Sequence, residues 1–462
     1  MWIDKQPLQF ITAYLQELEK ALKEQGNAYR LSSLQRLWLG FCLMGILLTN
    51  SICWAKFERM SFKRYSQAAL SWMFLHSKLP WERLLVASVS IILKRFGISE
   101  GVAIIDDKDI ERSKNAKQLF RLYKTKDKKT GGYILGQNIV VLYFVSNKIC
   151  LPIGFSFYSP DPELKKWAQE VLRLKKEGVS KRLWPSKPER SLDHPKKYEL
   201  AIELLSDFKK RFAEIKVHAV LADGLFGHLP FIQGVEALWE NVQVITKMRK
   251  KQKIQNGNKE YSCEGFSHSY KGWEQDITIR GRNTQKVIAG GGGFFVPSHQ
   301  TKRFVIAMKY QGESECRYLM ASNLSWNMKR IMEIFSLRWL IEVFFEDWSC
   351  YNGFCSLAKQ CGEEGSLRPL ILSLLFDHCF FFHKQQALLL ENHSSLATFG
   401  TLVERTRAEA FCHFIYQILE DDSPKAKLQE LVDNLDEVFP LRSSKKHFSG
   451  VPIDFEIAKK TA

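Results

Sequence analysis

Residues 335–353 read FSLRWLIEVFFEDWSCYNG. No Gly or Pro interrupts them before Gly353, so the stretch predicts a helix about five turns long. Leu337, Ile341, Phe344 and Trp348 are spaced by four, three and four residues and form one stripe to be buried. A second stripe, Phe335, Arg338, Glu342, Glu346 and Ser349, runs along another face. Charges in so apolar a helix have two readings. One is a surface Arg–Glu pair at i,i+4, contributing about 0.3–0.5 kcal/mol; the other is a glutamate facing a cleft where other acids meet it.

Upstream, residues 1–98 carry helical patterns and almost no strand signal. After Gly101 the texture changes. VAII (102–105) is a short strand-like run ending at Asp106, and GQNIVVLYFV and CLPIGFSFY follow, joined at Ser146-Asn147-Lys148 as a hairpin. HPKKYELAIELLSDFKKRF puts Ala201, Leu204, Leu205, Phe208 and Phe212 on one helical face. VHAVLA (217–222) is a buried strand ending at Asp223, and VQVIT (242–246) is another. Three strands with a hairpin, then a helix, a strand, a helix and a strand predict an α/β fold, a mixed sheet flanked by helices. Both aspartates fall where such sheets bind ligands. From 248 to 325 short strands and turns form a β-rich insertion. Its run AGGGGFF lacks the Gly-Lys-Ser/Thr of a phosphate loop and reads as a flexible turn. The expected organisation is 1–98 helical, 99–247 the first part of the core, 248–325 the insertion, 326–391 the helices with Glu342, and 392–462 a helical C-terminal region.

Lys and Arg exceed Asp and Glu by 67 to 50 over 462 residues, a formal charge of +17. The excess is concentrated. Lys108–Lys129 and Lys165–Arg190 each hold nine basic and three acidic residues, and Lys247–Lys253 has five cations in seven positions. Three such runs imply a polyanionic partner, for which nucleic acid is the economical choice. The ten cysteines are irregularly spaced, without a C-x-x-C pair or a secretory signal, which predicts a reduced, cytoplasmic chain. Residues 37–54, LWLGFCLMGILLTNSICW, approach the length of a membrane span but are read as a buried helix, so no membrane is expected.

Three carboxylates stand out: Asp106 (with Asp107 as its competitor), Asp223 and Glu342. They are far apart in sequence, so only a fold could gather them. Hard cations such as Mg2+ or Mn2+ prefer oxygen ligands, and two of them roughly 4 Å apart activate a nucleophile and stabilise a leaving oxygen. Successive strand residues point to opposite faces, so one of Asp106 and Asp107 enters such a site.

At these residues, VAIIDDKDIERSK, VLADGLFGHLPFI with VITKMRKK after it, and FSLRWLIEVFFEDW, the chain resembles the cut-and-paste DDE transposases of bacterial insertion sequences. The resemblance spans roughly residues 30–385. It implies a ribonuclease-H-like core with a β-rich insertion ahead of the glutamate. Asp106, Asp223 and Glu342 would be the catalytic acids, holding two Mg2+ or Mn2+ ions. The family's tyrosine, arginine, glutamate and lysine motif falls on Phe335, Arg338, Glu342 and Ser349. Arg338 and Glu342 match; the hydroxyl and the lysine are missing. In the family these positions hold DNA phosphate, a role suited to arginine's planar fork. Lys247, Arg249 and Lys250 join them as expected phosphate contacts.

The implied activity is metal-dependent cleavage of an element's DNA ends and their transfer to target DNA. The N-terminal helices would bind those ends, and a homodimer would act on double-stranded DNA. One alternative is a decayed copy that only binds DNA. Another, a two-carboxylate glycoside hydrolase, leaves the basic surface and the third acid without a role.

Overall fold

The computed structural model describes residues 7–26, 29–61, 64–112, 116–126, 131–270, 272–358, 360–391, 397–420 and 422–433. Parts of the expected N-terminal region (1–6), of the first basic run (113–115 and 127–130) and of the C-terminal region (434–462) therefore lie outside the described residues.

The chain opens with five helices: α1 (Gln9–Gln25), α2 (Ser33–Thr49), α3 (Trp54–Met60), α4 (Gln67–His76) and α5 (Trp81–Arg95). α2 starts at a capping box. The Ser32 hydroxyl accepts from Gln35 N while the Gln35 side chain accepts from Ser32 N. A helix apolar on every side must be enclosed, and ten consecutive residues of α2, from Trp38 to Leu47, are buried. Trp38 packs edge-on against Trp81, and Trp54 and Phe74 complete the aromatic cluster.

The sheet begins with β1 (Glu100–Arg112), β2 (Tyr123–Lys126), β3 (Tyr133–Val145) and β4 (Cys150–Tyr158). β3 is antiparallel to β1, and β4 to β3 through the turn at Ser146–Ile149. After α6 (Pro162–Lys176) and α7 (Lys197–Arg211), β5 (Lys216–Ala222) pairs in parallel with β1. α8 (Leu229–Leu238) leads to β6 (Gln243–Lys247), parallel to β5. The resulting order β4-β3-β1-β5-β6 is a mixed sheet flanked by helices, the ribonuclease-H-like α/β fold expected.

The insertion extends this same sheet. β7 (Lys253–Asn256), β8 (Lys259–Ser262), α9 (Cys263–Ser269), β9 (Trp273–Ile279), β10 (Asn283–Val296), β11 (Thr301–Tyr310) and β12 (Arg317–Ala321) follow. β12 pairs antiparallel with β6, so among the described residues twelve strands form one sheet. The glycine run read as a flexible turn is instead the middle of β10. A Cβ at Gly290 would meet the Tyr270 ring at 2.6 Å, and one at Gly291 the Val305 carbonyl at 2.3 Å. Glycine is used there to let a ring and a neighbouring strand approach.

α10 (Met328–Ser336) and α11 (Trp339–Tyr351) return the chain to the core, followed by α12 (Gly362–Cys379), α13 (Lys384–Glu391), α14 (Phe399–Leu419) and α15 (Pro424–Asp433). The single helix expected across 335–353 is thus two. At Leu337 and Arg338 the bonds tighten to i,i+3, with Leu337 N to Ile334 O and Arg338 N to Phe335 O both at 3.0 Å. Ile341, Phe344 and Trp348 are buried. Phe344 stacks on Tyr143 of β3 at 5.1 Å, and Trp348 Nε1 donates to Ser373 of α12, so α11 lies between sheet and helix.

The run Gly362–Phe382 is the one helix among the described residues long and apolar enough to cross a membrane, and 89% of its most apolar window is buried inside the protein. A hydrogen-bonded chain ties it to the first helices and the sheet. His378 Nε2 donates to the Pro152 carbonyl (2.9 Å), which leaves Nδ1 to accept from Ser88 (2.7 Å), and Ser88 in turn accepts from Tyr14 (2.7 Å).

Candidate active site

Ile105 of β1 lies beside Ala222 of β5 in parallel register. The next residue on each strand is an aspartate, so Asp106 and Asp223 emerge side by side at the same end of the sheet. There the strands part. β5 stops, whereas β1 continues to Arg112 on its ladder with β3. Asp106 is therefore inside a strand and not at its end, as the sequence suggested. The β3 ladder supports the polar residues of DDKDIER without apolar side chains.

Alternation separates the paired aspartates. Asp107 Oδ2 accepts from Asn138 Nδ2 and from Lys197 Nζ, both at 2.8 Å, and Asn138 also reaches Asp109. Asp106 and Lys108 face α11 instead, with the Lys108 ammonium 5.3 Å from the centre of the Phe345 ring. Asp106 Oδ1 accepts from Asp107 N (2.8 Å) and Oδ2 from Arg338 Nη1 (2.9 Å).

Arg338 also donates through Nη2 to Glu342 Oε1. One guanidinium thus bridges the acid on the strand and the acid on the helix, and it is buried. Glu342 occupies the first turn of α11, where the helix dipole favours a carboxylate. Asp223 lies beyond β5 with Lys247 Nζ 3.5 Å from Oδ1. Gly224 keeps this approach open, since a Cβ there would stand 3.2 Å from the Lys247 carbonyl.

The two aspartates titrate in opposite directions. Burial pushes the Asp106 carboxyl up to about 6; Arg338 and the Asp107 N–H pull it down, while the charges of Asp107 and Asp223 add to the rise. Burial also raises Asp223, but the Gly224 N–H, Lys247 and Arg338 outweigh it and hold that carboxyl below its ordinary value.

The remaining expected contacts are dispersed. Phe335 is half-buried at the end of α10. The Ser349 hydroxyl donates to the Phe345 carbonyl of its own helix (2.6 Å). Arg249 is exposed and its guanidinium has no partner among the described residues, whereas Lys250 pairs with Glu315 inside the insertion at 3.1 Å. Lys197 and Asn138, which hold Asp107 away from the site, escaped the sequence reading. Their only signal was the i,i+2 repeat of Asp107 and Asp109.

Three carboxylates are the hard oxygen donors that Mg2+ or Mn2+ takes, so the donor chemistry suits such a cation. The arrangement is that of acids drawn to Arg338: among the described residues no three of His, Cys, Asp or Glu stand close enough together to hold a metal ion.

Residues 34–261 match the family model described as DDE superfamily endonuclease. That span contains Asp106 and Asp223 and ends before Glu342, whose place beside them rests on the fold. Endonucleases of this superfamily act on DNA and generally depend on divalent metal. No curated protein matches the chain.

Proposed function

We propose, from the premise that residues 34–261 belong to the DDE superfamily of endonucleases, that this protein is a transposase that cleaves the ends of a mobile DNA element and joins them to target DNA. The observation that carries this reading is that three acids come to one end of the sheet: Asp106 follows Ile105 and Asp223 follows Ala222 on paired parallel strands, and Arg338 links Glu342 to Asp106.

Asp106, Asp223 and Glu342 would hold divalent Mg2+ or Mn2+, which supplies activation of the attacking oxygen and neutralisation of the leaving one. Arg338 has a different part. Its fork suits a phosphate as well as two carboxylates, so gripping DNA requires it to release Asp106, Glu342 or both. DNA binding and the freeing of the two acids become one exchange at a single guanidinium. Lys247 is placed for the same exchange at Asp223.

The three basic runs converge on this end of the sheet. β4 and β6 run parallel to β1 and β5, so the run after Tyr158 and the run from Lys247 leave beside the acids, and the run from Lys108 begins within β1. Two protomers, one per element end, would act together on duplex DNA in a bacterial cytoplasm.

A DNA-binding protein without catalysis is the second reading. It is favoured by Ser349, which carries no charge and bonds its own helix. Cleavage of duplexes bearing the DNA that flanks the coding region, in Mg2+ or Mn2+, separates the two. The parent should cut; Asp106→Asn, Asp223→Asn and Glu342→Gln should lower cleavage at least a hundredfold while still binding, and Asp107→Asn should keep it. Cleavage that survives Glu342→Gln, or is lost with Asp107→Asn alone, refutes the assignment of the acids.

A further inference from the structure

Between β4 and α7 the chain makes an excursion, 159–195, whose residues from Pro162 to Asp193 include none that is buried. α6 accounts for fifteen of them. Its stripe Leu164, Trp167, Val171 and Leu174 is only half-covered, and the returning segment of the excursion meets it at Trp167. Trp167 Nε1 donates to the Pro185 carbonyl (2.9 Å) and Trp184 Nε1 to the Val179 carbonyl (3.1 Å). Such a hairpin has almost no core to hold it against the body.

Its base, by contrast, is tightly fastened. Asp161 caps α6 through Oδ1 and accepts from Ser191 N through Oδ2 (2.9 Å), closing the two ends of the excursion. Arg121 donates to Ser159 and to His194 Nδ1 (2.8 Å), and Lys165 to the Lys124 carbonyl of β2 (3.2 Å). Tyr158, where the arm departs, is level through Asn138 with Asp109, three residues beyond Asp106 and hence roughly 10 Å along the strand.

Charge divides along the arm. Arg173 binds both Glu170 and Glu177, and Lys166 binds Glu163. Lys175, Lys176, Lys181 and Arg182, at the end of α6 and the turn after it, have no partner among the described residues. Leu172 and Leu183 are exposed beside them.

We propose that 159–195 is a DNA-docking arm, fastened beside the acids and gripping the duplex backbone through Lys175, Lys176, Lys181 and Arg182. This rests on the reading of the protein as acting on DNA. Four unpaired cations on a projection that buries nothing complement a phosphate track, not an apolar protein face.

The test uses the full chain and a fluorescent duplex of arbitrary sequence. Lys175→Gln, Lys176→Gln, Lys181→Gln and Arg182→Gln together should lower the slope of log affinity against log salt by about three to four units. The thermal midpoint should not move, because no buried residue is touched. Lys175→Arg, Lys176→Arg and Lys181→Arg together should keep the parent slope. A slope that stays within one unit of the parent overturns the arm, as does a variant whose only loss is self-association on DNA, which would mark a protein interface. Cleavage by the acids is read separately: an arm-dependent slope in a parent that never cuts overturns the endonuclease reading and leaves the arm, and cutting with an unchanged slope does the reverse.

Discussion

Arg338 Nη1 and Nη2 end on different acids, so substitutions there can separate charge from shape. Arg338→Ala leaves the half-buried Asp106 without its main counter-charge. Its carboxyl, already pushed up to about 6, should rise further and carry a proton at neutral pH. Neutralisation softens the loss, so the expected destabilisation is about 1–3 kcal/mol, below the usual cost of breaking a buried pair. Arg338→Lys restores one contact but not the fork and should recover part of that stability while leaving duplex affinity reduced. Thermal melts and DNA titrations of the two variants check this; an alanine variant as stable as the parent would mean that the bridge contributes nothing. The choice between Asp106 and Asp107 also belongs to this scale, since alternation along β1 sends one carboxylate to Arg338 and the other to Lys197.

At the scale of elements, α12 carries adjacent groups with opposite pH behaviour. Burial holds His378 down to about 4 and pushes Asp377 up to about 7, the latter against its bond from Asn352. An unfolded histidine takes a proton near 6.5. Between pH 6.5 and 4 the unfolded chain therefore binds a proton that native His378 refuses, and its contribution to stability falls as the solution is acidified. Asp377 acts the other way: its contribution is complete below the unfolded value near 3.9 and is lost as pH rises through about 7. His378→Gln should be less stable than the parent at pH 7, having lost a buried bond. The gap should narrow between pH 6.5 and 4, because only the parent carries the histidine penalty. Urea midpoints across that range measure it, and a gap of constant size would show that His378 is not kept neutral.

For the whole molecule, the insertion and the core share one sheet through β6 and β12, and Tyr14, Ser88, His378 and Pro152 join the first helices to it. Few surfaces remain along which parts could separate. Heating should therefore give a single transition for the described body, with matching calorimetric and van't Hoff enthalpies. An early transition assigned by hydrogen exchange to β7–β12 would show that the β6–β12 pairing does not couple them. Continuity also fixes direction, since parallel β1, β5 and β6 present Asp106, Asp223 and Lys247 at one end.

Local pattern was enough for much of this. Apolar runs and their periods marked the strands that hold Asp106 and Asp223 and the buried stripe of α11, because burial of one face repeats in sequence at the period of the element. The order of elements was legible for the same reason, whereas the basic runs showed in local charge and the acids in residue type and position. What tertiary structure alone decided was everything that depends on a neighbour distant in sequence. The polar continuation of β1 is a strand because β3 supplies its ladder. Gly290–Gly293 are strand because β11 supplies their ladder, and Tyr270 and β11 leave no room for a side chain at Gly290 and Gly291. The helix breaks at Leu337–Arg338, where a guanidinium meets an acid 232 positions away. Hydrogen bonds and ion pairs between distant residues leave no period in the chain, so a sequence can nominate their partners but only the fold can introduce them.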